Sequence, residues 1–576
     1  MIKLLRTYLR PYRAQIAFVV VLLLAQALAN LYLPTLNADI INNGVSTGDT
    51  DYIVSTGGFM LLVTLVLGIA SIVSVYWGSK TAMAFGRDVR SAVFRRVEAF
   101  SQTETNHFGT ASFITRNTND VQQVQTVVAL ALTMMISAPI MAVGGIVMAL
   151  REDVPLSGLL VVIVPLMGVI VGALLSQAIP LFQSMQVKID RINQVVRENL
   201  SGIRVIRAFV RTDHEAIRFD AANRDLTATA LRVNRLFALM IPSLTVIFNL
   251  STVAILWFGS QRVDSGAMPI GNLTAFLQYV MQILMSVMMA TFMFVMVPRA
   301  AVSAGRIQEV LETDPLIRDP DAPADPRKAG GLVEFRDVEF RYPGAEQAVL
   351  TGISFTASPG QTTAIVGSTG SGKSTLVNLI PRFYDITKGS VLVDGVDVRE
   401  MRQEDLWQGI GVIPQRSFLF TGTVATNLRF GDNDATDDDL WAALTIAQAR
   451  TFVEEMPEGL DAPITQGGSN VSGGQRQRLA IARALVKKPA VYLFDDSFSA
   501  LDFKTDSLLR AALHAELGGA TVLIVAQRVG TIMNADQIVV LDGGTIAGIG
   551  THHELLATCE TYREIVYSQL TEEEAA

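Results

Sequence analysis

The run Gly367-Ser368-Thr369-Gly370-Ser371-Gly372-Lys373-Ser374-Thr375 combines spaced glycines with a lysine and two following hydroxyl residues. These residue types suit the phosphates of a nucleotide. Glycines let backbone N–H groups turn inward around phosphate oxygens, Lys373 adds a point charge, and the Ser374 hydroxyl is a ligand for Mg²⁺. The setting is the required one. An apolar strand-like stretch, residues 363–366, precedes the loop, and a helix-like Leu376-Val377-Asn378-Leu379-Ile380 follows it. The start of that helix adds a favourable dipole for anions.

Two further segments carry chemistry. Ala490-Val491-Tyr492-Leu493-Phe494-Asp495 reads as a buried strand with a carboxylate at its C-terminal end. An Asp that merely ends a strand is common, but beside a phosphate loop Asp495 is placed to hold Mg²⁺ through water. Ser472-Gly473-Gly474-Gln475 precedes the helical residues 479–486 and forms a second anion cradle. One domain does not need two cradles for one ATP, so the second is expected to serve ATP held by another subunit.

The segments that position these groups differ sharply in composition. From Leu332 onward, short β-runs alternate with helices, which predicts an α/β P-loop ATPase domain over 332–570, with an acidic tail at 571–576. Four prolines, Pro315, Pro320, Pro323 and Pro326, mark 313–331 as a linker. Residues 1–312 read as an α-helical six-span transmembrane domain. Six windows without any charged residue separate Arg13 from Asp39, Asp51 from Lys80, Asp120 from Arg151, Asp153 from Lys188, Arg235 from Arg262 and Asp264 from Arg299. Each exceeds the ~20 residues that cross a hydrocarbon core. A charge at a span's centre costs ~2.5–3.5 kcal/mol on insertion scales, which accounts for the clean windows. The spans are predicted near 15–37, 54–79, 125–150, 155–180, 236–260 and 268–298. Ala27-Leu28-Ala29 resembles a signal-peptidase site. The uncharged run continues past it for longer than a signal core of ~7–15 residues, so an uncleaved span is expected.

Basic residues fix the orientation. Lys3, Arg6, Arg10 and Arg13 precede the first span, and lysines and arginines crowd the second and fourth connections, whereas the first connection has none. The N-terminus and the ATPase domain are therefore expected in the cytoplasm, with the chain in the cell membrane. The two basic connections continue as helices beyond the bilayer. Breaks at Asn106-His107-Phe108-Gly109-Thr110 and at Leu200-Ser201-Gly202 suggest docking elbows near 106–112 and 202–212.

Composition removes other classes. Half the residues are apolar and only 17% are charged, which excludes a largely disordered chain. The formal net charge is −8, opposite to that of a nucleic-acid binder. Cys559 is the only cysteine, which excludes an internal disulfide and a cysteine-based metal site. The adjacent His552 and His553 read as a loop or helix start rather than a ligand pair.

With the P-loop, Asp495 and Ser472-Gly473-Gly474-Gln475 on one chain behind six spans, the sequence resembles an ABC transporter half-subunit of the exporter type over nearly its full length. The resemblance implies head-to-tail dimers that sandwich two ATP molecules between each P-loop and the opposing signature. It implies that Gln415 contacts Mg²⁺ and the membrane domain, that Tyr342 stacks on adenine, and that Asp502 belongs to the D-loop Ser499-Ala500-Leu501-Asp502. The alternative for Tyr342 is a core tyrosine. The elbows correspond to the family's two coupling helices.

Two positions depart from the family. Its usual general base, a Glu after the metal-binding Asp, is Asp496 here, one methylene shorter. Its switch histidine is Gln527, which donates a hydrogen bond but carries no positive charge. Both changes fall in one catalytic site, while the signature is intact apart from Val471 where Leu is usual. The pattern is similar to the degenerate-site subunit of heterodimeric bacterial multidrug exporters. The implied partner is a second half-transporter with Glu and His at these positions. The implied cofactors are ATP and Mg²⁺.

Substrate choice is weakly written. Met281, Met285, Met288, Met289, Met293 and Met296 line the sixth span with Phe292 and Phe294, a flexible surface for a hydrophobic drug, lipid or peptide or a plain packing face. Gln278, Gln282 and Asn249 are polar groups placed to face a cavity. An importer with the exporter fold, for example for siderophores, an ATP-gated channel and a cargo-free membrane ATPase fit the same motifs.

The second cradle generates a test. Replacing Gly473 by a bulky residue should nearly abolish ATP turnover of the assembled transporter while sparing nucleotide binding at this chain's P-loop. Retention of most turnover contradicts a cradle that serves the opposing ATP.

Overall fold

A computed structural model describes residues 1–324 and 330–575, with the side chains of 241, 291, 292, 294, 295 and 575 outside the description. The expectations at Pro326 and Ala576, and at the Phe292 and Phe294 side chains, therefore lie outside the described residues. The chain divides into two units, Met1–Glu98 with Ala111–Thr313, and Ala99–Thr110 with Asp314–Ala576.

The first unit is helical, and six of its helices are long and apolar enough to cross a membrane. The principal segments are Arg13–Asp39, Thr50–Glu98, Ser137–Glu152, Leu160–Ala208, Thr212–Asp264 and Ile270–Glu312. π-Helical turns at Arg116–Asp120 and Ala131–Met135 lie on the approach to Ser137–Glu152. The helices Leu160–Ala208 and Thr212–Asp264 hold 49 and 53 residues. At ~1.5 Å per residue they are more than twice as long as a ~30 Å hydrocarbon core is thick, so each carries a polar extension. Ion pairs Lys188–Asp225 and Glu198–Arg218 zip these two antiparallel extensions together.

The turn falls within the elbow expected near 202–212, but the break within it is displaced. Leu200, Ser201 and Gly202 do not interrupt their helix. The chain turns at residues 209–211, where Val210 adopts a φ of +54°. A single glycine costs a helix only about 1 kcal/mol. Glu198 and Asn199, just before it, are anchored to Arg218 and Glu215 on the returning helix. The other elbow is itself a helix. Ser101 caps Gln102–Phe108 through a capping box with Glu104, and Gly109 ends it at a φ of +76°.

At one end of this unit, backbone approaches backbone. A Cβ on Gly271 would lie 2.3 Å from the Ala38 carbonyl oxygen. The Asn42 side chain accepts from the Gly271 N–H at 2.8 Å and donates to Asn272 at 2.8 Å. Beside them, Arg262 donates to the buried Asp153 at 2.8 Å, so the short charged turns of two connections pair with each other.

The second unit contains β1 Val333–Phe340, β2 Leu350–Ala357, β3 Thr362–Gly367, β4 Lys388–Val393, β5 Val396–Asp397, β6 Ile410–Ile413, β7 Gly422–Thr423, β8 Pro463–Ile464, β9 Val491–Asp495, β10 Thr521–Val525, β11 Gln537–Asp542 and β12 Thr545–Gly550. An antiparallel sheet has the order β2-β1-β4-β5, a larger sheet the order β12-β11-β3-β10-β9-β6, and β7 pairs with β8. The larger sheet is parallel from β11 to β6. Both of its faces are covered, so its strands read as continuous apolar runs. Ala364, Val366, Phe494 and Ile524 pack into one core, while Ile365, Leu493 and Val525 pack into the other. His552 begins the helix His552–Thr558, buried and hydrogen-bonded to the Tyr562 hydroxyl at 2.7 Å.

The close approach at Gly271 is testable against an open glycine. Gly271→Ala should lower the thermal unfolding midpoint of the detergent-solubilised protein, because overpacking costs ~1–3 kcal/mol. Gly172→Ala, where a Cβ meets nothing within 4 Å, should leave that midpoint nearly unchanged. Equal midpoints in the two variants contradict the account.

Candidate nucleotide site and membrane cavity

Four neighbouring parallel strands deliver the candidate site at their C-terminal ends. β3 runs into the loop 367–372, β10 leads to Gln527, β9 ends at Asp495 and Asp496, and β6 leads to Gln415. Residues more than a hundred positions apart thus meet in the crevice where open α/β sheets bind ligands.

The loop is built around its glycines. Gly370 and Gly372 hold φ values of +87° and +95°, which side chains disfavour. Lys373 begins the helix Lys373–Leu379. Its Nζ donates to the Gly367 carbonyl at 2.8 Å and the Ser368 carbonyl at 2.7 Å. Burial pushes the Lys373 ammonium below its ordinary pKa, and Asp496 and Asp495 oppose that. An anion brought to the loop favours the charged form. Ser371 Oγ is buried without a hydrogen-bond partner, a donor suited to a phosphate oxygen. Ser368 and Thr369 are exposed at the loop's tip, and Thr375 is buried one residue past Ser374.

Ser374 Oγ donates to Asp495 Oδ1 at 2.8 Å. Burial, chiefly, and the neighbouring Asp496 push the Asp495 carboxyl up, against the Ser374 hydrogen bond and Lys373. A hydroxyl and a carboxylate side by side, with the Gln415 amide close by, form a hard-oxygen donor set that fits Mg²⁺. Among the described residues no group of three or more His, Cys, Asp or Glu gathers as a metal cluster. Mg²⁺ requires none, because it takes one or two carboxylates plus phosphates and waters.

Asp496 is nearly buried and holds a φ of +48°. Its N–H donates to the Val525 carbonyl at 3.0 Å, and its carbonyl accepts from Ser499 Oγ at 2.9 Å, which pins the unusual backbone. Its Oδ2 accepts two amide donors, Gln415 Nε2 and Gln527 Nε2, each at 2.9 Å. The structure therefore joins Gln415, Asp496 and Gln527 in one cluster. The family resemblance implies Gln415 at the metal and Gln527 in place of the switch histidine, while no sequence spacing joins either of them to Asp496.

Tyr342 is half-buried. Its hydroxyl lies 3.0 Å from Thr375 Oγ1, and its ring meets those of Phe340 and Tyr384 edge-on at 4.8 Å and 5.2 Å. It packs against the core and touches the P-loop helix, so the two readings of this tyrosine are compatible.

The second cradle is separate. Ser472 caps Gly473–Lys487, accepting from the Gln475 N–H, while the Gln475 side chain accepts from the Ser472 N–H at 2.9 Å. Ser472 and Gly473 are exposed, and a Cβ on Gly473 meets nothing within 4 Å. Gly474 lies against Ala500, where a Cβ would sit 3.3 Å from the carbonyl. Asp502 caps Phe503–Glu516 by accepting from the Thr505 N–H at 3.0 Å, and backbone donors hold its carboxyl below the usual range. Among the described residues no hydrogen bond or ion pair joins the Ser472 cap to the P-loop cluster.

The helical unit encloses a cavity of about 940 Å³. Among the described residues, eight methionines line it, Met134, Met135, Met240, Met285, Met288, Met289, Met293 and Met296, and Arg299 is the one charged residue of the lining. Met281 and the three polar candidates are not part of that lining. Gln282 donates to the Asn30 carbonyl at 3.2 Å, closing that stretch by helix contact, and Asn249 is exposed elsewhere. The methionine stripe opens onto the cavity only from Met285 onward.

Comparison with known proteins adds independent findings. The family model for the ABC transporter transmembrane region matches residues 16–287, and the ABC transporter model matches residues 350–499. An uncharacterized ABC transporter ATP-binding protein of Mycobacterium tuberculosis is 50% identical over 573 residues, 99% of this chain and 98% of the relative. An ATP-dependent lipid A-core flippase of Aromatoleum aromaticum is 32% identical over 522 residues, 90% of this chain and 86% of the relative. A solved structure of a bacterial Atm1-family ABC exporter with ATP bound superposes with a TM-score of 0.80 at 25% identity, covering 98% of this chain and 99% of that one.

The loop geometry sets an expected outcome. Lys373→Ala removes the side-chain cation of the P-loop and should lower ATP affinity at this site by about 10²-fold or more, as the loss of ~3 kcal/mol of charge-assisted contact. Equilibrium binding of a labelled ATP to the purified transporter checks it, and unchanged affinity contradicts the assignment.

Proposed function

The chain belongs to the ABC transporter family, an exporter-type membrane domain fused to an ATPase domain, and on that premise we propose that it is one half of a heterodimeric exporter whose own P-loop site binds ATP but cleaves it slowly. Family membership carries ATP binding, ATP hydrolysis and a cell-membrane location. The heterodimer, the impaired site and the cargo go beyond family membership.

One observation supports the impaired site above the others. One oxygen of the Asp496 carboxylate, Oδ2, already accepts two amide N–H groups. That oxygen is occupied before any water reaches it, and the side chain is one methylene shorter than the Glu usual in the family. Gln527 commits one of its two amide N–H donors to Asp496 and brings no positive charge to the phosphates. General-base catalysis is worth ~10²–10⁴ in rate, or about 3–5 kcal/mol, and this site forgoes most of it.

The binding parts are complete. Lys373, Ser371 and the N–H groups of 367–374 orient the phosphates, with Ser368, Thr369 and Thr375 in the same loop. Ser374, Asp495 and Gln415 hold Mg²⁺, which when bound neutralises phosphate charge. Tyr342 flanks the base. The exposed cradle Ser472-Gly473-Gly474-Gln475, with Asp502, serves the ATP of the partner half-transporter, whose Glu and His carry the hydrolysis. The ATPase domain and N-terminus face the cytoplasm.

The cavity supports an apolar or amphipathic cargo, such as a drug, lipid or peptide. Methionine is flexible and polarizable, and eight of them present a surface that repacks around varied shapes. The named activity of the flippase relative concerns a lipid, in keeping with this class.

Steady-state phosphate release by the purified heterodimer tests the asymmetry. Asp496→Asn should change turnover by no more than about twofold, whereas replacing the partner's Glu should remove about 10²-fold or more. A hundredfold loss from Asp496→Asn alone contradicts the impaired-site reading.

A further inference from the structure

We propose that the ATPase unit carries a second ligand site, for a small apolar acid, in the cavity between the helix Phe503–Glu516 and the N-terminal halves of β3 and β10.

The cavity measures about 680 Å³, within the ~300–1,000 Å³ of small-molecule pockets and far above a packing void. Its floor is apolar. Ala364 of β3 pairs in register with Ile524 of β10, and both belong to a buried core with Val522 and Leu513. The sheet presents an alanine here, and the helix presents Ser507 and Ala511, so small side chains on both sides leave the space open. The nucleotide loop lies elsewhere. β3 starts beside the cavity at Thr362 and reaches the P-loop only at Gly367, so the two sites sit at opposite ends of one strand.

The chemistry of the wall has one sign. Ser507, Arg510 and His514 recur at i, i+3 and i+7 on one helix face, and among the described residues the lining contains no Asp or Glu. Arg510 forks onto buried Asp506 through Nε and Nη2, each at 3.2 Å, and its Nη1 donates to the Gly530 carbonyl at 2.8 Å. These bonds fix the guanidinium and engage three of its five N–H donors, leaving two for a ligand. His514, one turn further on, is exposed and makes no hydrogen bond or ion pair among the described residues. Fixed N–H donors facing an apolar floor match a flat apolar body that carries one carboxylate. The body displaces water from Ala364, Val522 and Ile524, and the carboxylate accepts from Arg510 and His514.

A groove that holds only water is the plain alternative, and two matched probes separate them. Ala511→Cys places a thiol in the lining, whereas Leu508→Cys places one on the same helix, exposed and outside the lining. The full transporter in nanodiscs is alkylated with iodoacetamide in the presence of naphthoate or naphthamide, and the rate at each introduced cysteine is read by mass spectrometry. Naphthoate at about 1 mM should slow alkylation of the Ala511→Cys thiol by about threefold or more and leave the Leu508→Cys thiol nearly unaffected. Naphthamide, with the same rings and no charge, should need about fivefold more for the same protection. Adding His514→Ala to the Ala511→Cys chain should weaken protection by naphthoate about threefold and leave that by naphthamide within about twofold. Mg·ATP should leave protection by naphthoate within about twofold, because the P-loop lies at the other end of β3. Equal alkylation of the two thiols under naphthoate overturns the site. Equal protection by acid and amide overturns the ligand class. Protection that Mg·ATP abolishes places the probe at the nucleotide and overturns a second site.

Discussion

Everything at the nucleotide site depends on one carboxylate. Asp496 Oδ2 holds Gln415 from the end of β6 and Gln527 from the end of β10, each at 2.9 Å. That cluster ties three parallel strands together at the end where the P-loop opens. It is buried and bonded on its backbone as well, which is how an aspartate tolerates a left-handed conformation that costs on the order of 1–3 kcal/mol. The same contacts that hold the cluster occupy one of the two oxygens of the carboxylate proposed as the base. On the proposed reading, stability of the crevice and reactivity of the base are in opposition, and the side chains present favour stability.

The helical unit obeys a different constraint. Within the bilayer, backbone groups have no partner but each other, so the six windows are helices and their polar contacts collect at the ends. Asn42 with Gly271, Asp153 with Arg262, and Asp120 with Ser303 and Arg306 all sit beside the apolar windows or at their margins. The methionine-lined cavity lies between these ends, and among the described residues only Arg299 brings charge to its wall. Such a cavity selects by shape and apolar contact, whereas the nucleotide unit selects by charge.

What was legible in the sequence was local. The cost of a charge in hydrocarbon is felt residue by residue, so the spans could be read from charge-free windows. The P-loop is contiguous, and its glycines signal their own backbone. Reading failed where contacts are distant. Gln415 and Asp496 are 81 positions apart and Gln527 lies 31 beyond, so no spacing rule joins them. Gly202 looked like a break because glycine is a weak helix former, but ion pairs to the returning helix outweigh that preference. The methionine stripe was visible at helical spacing, yet where its cavity ends is set by Gln282 meeting the first span, a contact no single helix encodes.

The central claim is that this chain's P-loop retains ATP while the opposing site turns over. The most direct measurement is photocrosslinking of a radiolabelled, photoreactive ATP analogue to the heterodimer during steady-state turnover, followed by separation of the two chains and identification of the nucleotide on each. The account predicts triphosphate on this chain and diphosphate on its partner. Diphosphate on this chain at the partner's level would contradict it.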